Sequence, residues 1–181
     1  YNYVRPTFNE ERRIEIINGR HPVIEKVMNN SEYVPNDIKM DKDTDILVIT
    51  GHDSYSKSKG KMMDINAYRH SWHFAQTVKE ARKMIPQLDQ LVIFAGACQS
   101  HFESLISAGA NFASSPSRVN IHALDPVYIV AKVSFTPFMD RIHVWEALRN
   151  TLTGEKGIGG IETKGVLRTG MPYKILADED V

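Results

Sequence analysis

The chain holds a single cysteine, Cys98, which closes the apolar run Leu91-Val92-Ile93-Phe94-Ala95-Gly96-Ala97. A second apolar run, Asp45-Ile46-Leu47-Val48-Ile49-Thr50-Gly51, leads into His52 and Asp53. A thiol attacks as its thiolate, so a catalytic cysteine needs a base or a positive environment beside it. Open α/β sheets build their sites in the crevice beyond the carboxyl ends of the strands. Two strand patterns that each deliver one reactive side chain there point to a thiol–imidazole pair. Cys98 is the candidate nucleophile and His52 the candidate general base. Backbone N–H groups around Cys98 and Gln99 are candidates to cradle an oxyanion, with Gly51 leaving room for substrate on the neighbouring strand. Asp53 follows His52, but neighbours in an extended chain point to opposite faces, so it is not expected to orient the imidazole. The chemistry is that of a cysteine hydrolase, in the first place a peptidase, and it calls for no metal or organic cofactor.

Other readings compete. A free cysteine is commonly a small buried hydrophobe, and the chain would then bind or scaffold without turnover. Gly96-Ala97-Cys98-Gln99-Ser100 also has the small-x-nucleophile-x-small form of an amidotransferase elbow. Such enzymes draw the histidine from after the nucleophile, where His101, His122 and His143 stand. Residues 51–58 have the spacing of a phosphate-binding loop except that Ser56 occupies a glycine position, which argues against nucleotide binding. His70 and His73 share a helix face at i, i+3 but lack further ligands, and no metal site is expected.

The elements that must position Cys98 and His52 are short. Ile46 to Thr50 reads as a central strand, and Asp64 as the cap of one helix over 65–85 that Pro86 ends. Leu91 to Ala95 reads as a second buried strand, and His101 to Ala108 as a helix stopped by Gly109. Phe112-Ala113 and Val119 to Ile121 are strand candidates, Asp125-Pro126 opens a helix to about Phe135, and a further helix is expected over 137–152. A glycine-rich stretch follows, with a strand near Val166. Strands alternating with helices predict an α/β three-layer α/β/α sandwich with a mainly parallel sheet. Residues 1–44 differ in character: they are rich in charge and proline, with an alternating strand pattern at Arg13 to Ile17 and a turn signal at Asn18-Gly19.

At 181 residues and 42% hydrophobic content the chain can build a real core. Lys plus Arg and Asp plus Glu both number 22, so no net field favours nucleic acid or an anionic membrane as partner. One cysteine cannot form an internal disulfide, which fits a reducing compartment and a cytoplasmic protein.

Residues 45–175 closely resemble the catalytic portion of the YabG family of sporulation peptidases. The matching stretches include DILVITGHDS at 45–54, LDQLVIFAGACQSHFESLIS at 88–107 and NTLTGEKGIGGIETKGVLRTGMPY at 150–173. The resemblance implies a cysteine endopeptidase acting on spore coat and cortex-associated proteins in the mother cell or the coat, with a preference for cleavage after arginine. The family's catalytic residues fall on His52 and Cys98. The layout is also similar to the caspase group, although there a glycine follows the histidine and here Asp53 does. A pocket for arginine needs a carboxylate, for which Asp125, Asp140 and Glu162 are the candidates. Residues 3 to about 43 resemble a different family, the start of the ATPase domain of the mismatch-repair protein MutS, through YVRPTFNEERRIEIINGRHPVIEKVM at 3–28 and EYVPND at 32–37. The two resemblances meet at the strand that opens at Asp45, as in a fusion. The expected organisation is a leader at 1–44 without function of its own, a peptidase domain at 45–175 and a tail at 176–181. The earlier βα units of the YabG sheet are expected to be missing, with Arg13 to Ile17 a candidate substitute edge strand.

Overall fold

The computed structural model of the chain describes residues 4–8, 10, 13–19, 36–41 and 43–168; the tail expected at 176–181 lies outside them. The chain divides into two compact units, Tyr1–Thr44 and Asp45–Val181.

In the first unit, β1 (Ile14–Gly19) pairs antiparallel with β2 (Asn36–Met40), and the register shifts between Ile16 and Gly19. Asn18 takes a positive φ of 51° inside that irregularity. The expectation that Arg13 to Ile17 extends the α/β sheet does not hold. This strand belongs to a separate two-stranded sheet.

The second unit is built on four strands, β3 (Ile46–Ile49), β4 (Val92–Ala95), β5 (Phe112–Ser114) and β7 (Ile158–Gly160), in the order β3-β4-β5-β7. The first three are parallel and β7 is antiparallel to β5. Alternation along β4 separates the two faces. Ile93 and Ala95 join Ala75, Val78 and Ala81 of α1 (Ser71–Met84) and Leu105 of α2 (Phe102–Ser107). Val92 and Phe94 join Ile129 and Val133 of α3 (Asp125–Ser134) and Ala147 and Leu148 of α4 (Val144–Leu148). The result is the three-layer α/β architecture that the alternating pattern predicts, with a mixed, mostly parallel sheet. Among the described residues β3 pairs only with β4, so the run read as a central strand lies at an edge, with Val48 40% exposed.

Two expected helices are interrupted. The segment 65–85 forms a 3-10 turn (Ile65–Ala67), capped by Asp64, and then α1; between them Tyr68 is extended and bridges to Tyr55. The expected helix over 137–152 becomes β6 (Arg141–Ile142) followed by α4. Ile142 is fully buried in the core with Val92, Phe94 and Ile158, and β6 pairs with β8 (Thr163–Lys164), a long-range contact that local periodicity does not reveal. Val119 to Ile121 is loop rather than strand.

The amino end of the sheet is closed by one buried amide. Asn111 Oδ1 accepts from Ile93 N–H at 2.9 Å and from Arg82 Nη2 at 2.7 Å. Asn111 Nδ2 donates to the Leu88 carbonyl and to Thr163 Oγ1, both at 3.1 Å. Arg82 further donates to the carbonyls of Gly109 and Leu91, both at 2.8 Å, and burial pushes its guanidinium down from the ordinary value. Removing the amide leaves a guanidinium and a strand N–H without their acceptor. Asn111→Ala is expected to cost about 3 kcal/mol. Urea unfolding measures it, and a loss near zero would mean that these bonds hold nothing together.

Candidate active site at the carboxyl end of the sheet

Strands β3 and β4 pair in parallel with Ile49 opposite Ala95, and Gly96 N–H extends the ladder to the Ile49 carbonyl at 2.9 Å. His52 and Cys98 each stand three residues beyond that last register pair, on neighbouring strands and at the same end of the sheet. His52 is exposed and Cys98 half-buried. The Cys98 thiol donates to the Ile121 carbonyl at 3.7 Å. Among the described residues the His52 imidazole makes no hydrogen bond, and none joins it to Cys98. Catalytic hydrogen bonds commonly form only once substrate is bound.

The turn that carries Cys98 is bent on both sides. Gly96 has φ 107°, and a Cβ there would come within 2.6 Å of Ser114 Oγ and 2.7 Å of Leu105 Cδ1. Gln99 also has a positive φ, 56°, in a region few residues other than glycine occupy. Its N–H donates to the Val119 carbonyl at 3.0 Å, and its Oε1 accepts from Tyr55 N–H at 3.2 Å. The expectation that Gln99 N–H cradles an oxyanion is therefore corrected, since that amide is already engaged. The Cys98 N–H is without a partner among the described residues. Gly51 is exposed, and an added Cβ would meet nothing nearer than the Phe74 ring at 3.6 Å, so internal packing does not demand glycine there.

Asp53 points the other way from His52, as alternation requires, and is 7% exposed. Its Oδ1 accepts from Ser54 N–H and His70 N–H, both at 2.8 Å. Its Oδ2 accepts from Ser100 Oγ at 2.9 Å and from Ser71 Oγ. Both hydroxyls accept in turn: Ser100 Oγ from Ala97 N–H at 2.9 Å, and Ser71 Oγ from His101 N–H at 2.7 Å. Sequence reasoning missed this cluster. The signal available was two serines near strand and helix ends that no turn motif explains.

The proposed pocket acids are not brought together. Asp125 is fully buried, and its carboxylate accepts from His122 N–H at 3.0 Å, Leu152 N–H at 2.7 Å and Thr153 Oγ1. It has no oxygen turned to a ligand. Glu162 follows Ile161, whose N–H bonds to Asn111 at the amino end of β5, and the Asp140 carbonyl accepts from Gly165 beside β8. Both lie at the opposite end of the sheet from Cys98. His143 is there too, paired with Glu162 at 2.8 Å. Of the later histidines, His122 follows Ile121, the Cys98 partner, while His101 is buried at the start of α2. No group of His, Cys, Asp and Glu able to hold a metal ion occurs among the described residues.

Around His101 a polar cluster ties α2 to the loop after β5. Arg118 Nε donates to Tyr68 Oη at 2.6 Å, and Arg118 Nη2 pairs with Glu103 Oε2 at 2.5 Å. His101 Nδ1 accepts from Ser104 N–H at 3.2 Å, and its ring meets Tyr68 edge-on at 5.0 Å. Burial raises the Tyr68 phenol against the pull of Arg118. Burial pulls the Glu103 carboxyl upward most strongly of any single cause, but Arg118, the Glu103 backbone N–H and His101 together outweigh it and hold the group below its ordinary value of 4.5. A depressed carboxylate contributes stability that is present above its unfolded value and is lost as pH falls through the folded one. The melting temperature of the chain is expected to drop more steeply below pH 4.5 than that of Glu103→Gln. Parallel melting curves with the same acid slope would count against a folded-state role for this pair.

The sequence matches the family profile described as YabG peptidase U57 over residues 2–172. It is 83% identical over 130 residues to the sporulation-specific protease YabG of Bacillus subtilis, which is 72% of this chain and 45% of that protein. The chain thus spans about half the length of that relative. It is also 53% identical over 58 residues to the mismatch-repair protein MutS of Staphylococcus saprophyticus, covering 32% of this chain and 6% of that protein. With MutS of Lactobacillus johnsonii it is 37% identical over 120 residues, 66% of this chain and 13% of the other. No solved structure matches. On the extent of the profile match, the chain belongs to the YabG peptidase U57 family.

Proposed function

We propose that the second unit carries the peptidase chemistry of a sporulation protease, with Cys98 as nucleophile and His52 as general base. The observation that supports this most is the matched placement of the two residues beyond paired parallel strands. In the reaction His52 takes the thiol proton, and the thiolate forms a C–S bond to the scissile carbonyl carbon. The Cys98 N–H, without a partner among the described residues, serves in this reading as donor to the developing oxyanion. The imidazolium returns its proton to the leaving amine as the C–N bond breaks. Water, deprotonated by His52, then hydrolyses the thioester and regenerates the thiol. The substrates in this reading are spore coat and cortex-associated proteins, processed in the mother cell and cut after arginine. Residues 1–44 serve as a leader without a part in the chemistry.

Cleavage of an arginine-containing peptide by the purified chain, followed by mass spectrometry, tests the pair. Cys98→Ala and His52→Ala are expected to lower turnover by about a thousandfold or more, while His122→Ala and His143→Ala leave it within about threefold. Loss of turnover in His122→Ala with His52→Ala active would instead favour the amidotransferase-like arrangement.

Arginine recognition needs an acid, and the carboxylates of Asp53, Glu103 and Asp125 are engaged by protein donors. Glu155 lies on the 3-10 turn Gly154–Lys156, just after Thr153, whose Oγ1 accepts from His122 N–H. Exposed and without a partner among the described residues, it is the acid we assign to the arginine side chain. Glu155→Gln is expected to raise KM for an arginine peptide about tenfold and to leave a lysine-free apolar peptide unaffected. Equal KM values for the two proteins would remove this assignment.

A further inference from the structure

We infer that Asp53 is the positioning residue of this site: one buried carboxylate clamps the nucleophile turn to the loop of the base. The inference rests on the Cys98–His52 reading for its catalytic meaning, while the clamp itself is measurable without turnover. Asp53 adjoins His52 in sequence, so whatever fixes its side chain also fixes the backbone from which the imidazole projects. The nucleophile turn is gripped at both ends, three residues apart from Cys98 on one side and one residue on the other. Ala97 N–H is held by Ser100 Oγ and His101 N–H by Ser71 Oγ, and both hydroxyls converge on Asp53 Oδ2. Ala97 immediately precedes Cys98 and His101 lies three residues after it.

The polarity of these bonds is what makes a carboxylate necessary. A serine hydroxyl has one proton and two lone pairs. A pure acceptor at Asp53 draws both protons towards itself and leaves lone pairs facing the two backbone N–H groups. A side-chain amide offers one acceptor oxygen and one NH₂, so either the two hydroxyls that share Oδ2 or the N–H groups of Ser54 and His70 that share Oδ1 would face a donor. The same carboxylate takes the N–H of His70, and Ser71 is the first residue of α1, so α1 is part of the clamp. This explains why the chain breaks between the 3-10 turn and α1 instead of forming one continuous helix. Among the described residues no hydrogen bond joins the cluster to the His52 ring. Asp53 therefore acts by placing groups and takes no part in proton transfer.

The test uses the full chain with Asp53→Asn, Ser100→Ala and Ser100→Thr, and Cys98→Ala as control. Amide hydrogen exchange is read at Ala97, His101 and Phe94, with kcat and KM on the arginine peptide. In Ser100→Ala, exchange at Ala97 is expected to accelerate at least about tenfold while Phe94 stays protected. Turnover is expected to fall about 10- to 100-fold in kcat with KM changed less than about threefold. Ser100→Thr, which keeps the hydroxyl, should restore both. Should Asp53→Asn not fold, the serine variants carry the test alone. Unchanged exchange at Ala97, exchange that rises equally at Phe94, or a wild-type kcat in Ser100→Ala would each overturn the inference. Full activity in Cys98→Ala would overturn the thiol reading instead, and the exchange data would still decide whether the clamp exists.

Discussion

The in-register parallel pairing of β3 with β4 is the constraint on which the site depends. Parallel strands end on the same side, and with Ile49 opposite Ala95 any two residues at equal offsets leave the sheet together. Neighbouring strands lie roughly 4.8 Å apart, so this register sets the scale of separation between the backbones that deliver His52 and Cys98. A shift by one residue would send each side chain to the other face. The register is secured because β4 is buried on both faces, with Ile93 and Ala95 against α1 and Val92 and Phe94 against α3. Core packing and site geometry are here one requirement.

Sequence reasoning reaches the features that follow from local pattern. The strand at Leu91 to Ala95, the helix opened by Asp125-Pro126 and the helix ended near Gly109 show in composition and punctuation. What it misses is decided by partners distant in the chain. The helix expected over 65–85 breaks because His70 N–H and Ser71 Oγ are drawn to Asp53, 17 and 18 residues earlier. The segment after Pro137 becomes β6 because β8 offers it a ladder. Strand β7 reads as loop, since Gly159 and Gly160 have poor strand propensity. Yet they pair with Ala113 and Phe112, where Cβ atoms would come within 2.8 Å of Phe102 and 2.5 Å of Phe112. The site itself is half legible. Residue type singles out Cys98 and His52 as candidates, but charge alone cannot tell that Asp140 and Glu162 lie at the opposite end of the sheet from Cys98 or that Asp125 is saturated.

Asp53 shows how alternation can be read correctly and still leave the consequence unseen. Neighbouring side chains in an extended segment diverge, so a carboxylate next to the base is a poor orienter of its ring. The same geometry turns it inward, where a carboxylate is tolerated only with its oxygens satisfied. The four donors that satisfy it come from three separate segments, and two of them hold the backbone around Cys98. Stabilising a buried charge and holding the backbone around Cys98 are accomplished by one set of bonds.

The two ends of the sheet meet the same physical demand in opposite ways. At the amino end Asn111 and Arg82 saturate strand and loop carbonyls, and Asn111 is fully buried. At the carboxyl end the buried polar groups stop one layer short of the surface. Asp53, Ser71 and Ser100 are enclosed, while His52 is exposed, Cys98 is half-buried and the Cys98 N–H has no partner among the described residues. Rigid polar closure at one end permits the other to leave the proposed nucleophile, the proposed base and an N–H donor free, because the core between them is held without their help. A preorganised donor is worth most when the folded state does not satisfy it, and the Cys98 N–H, beside the chain's one thiol, has no partner among the described residues.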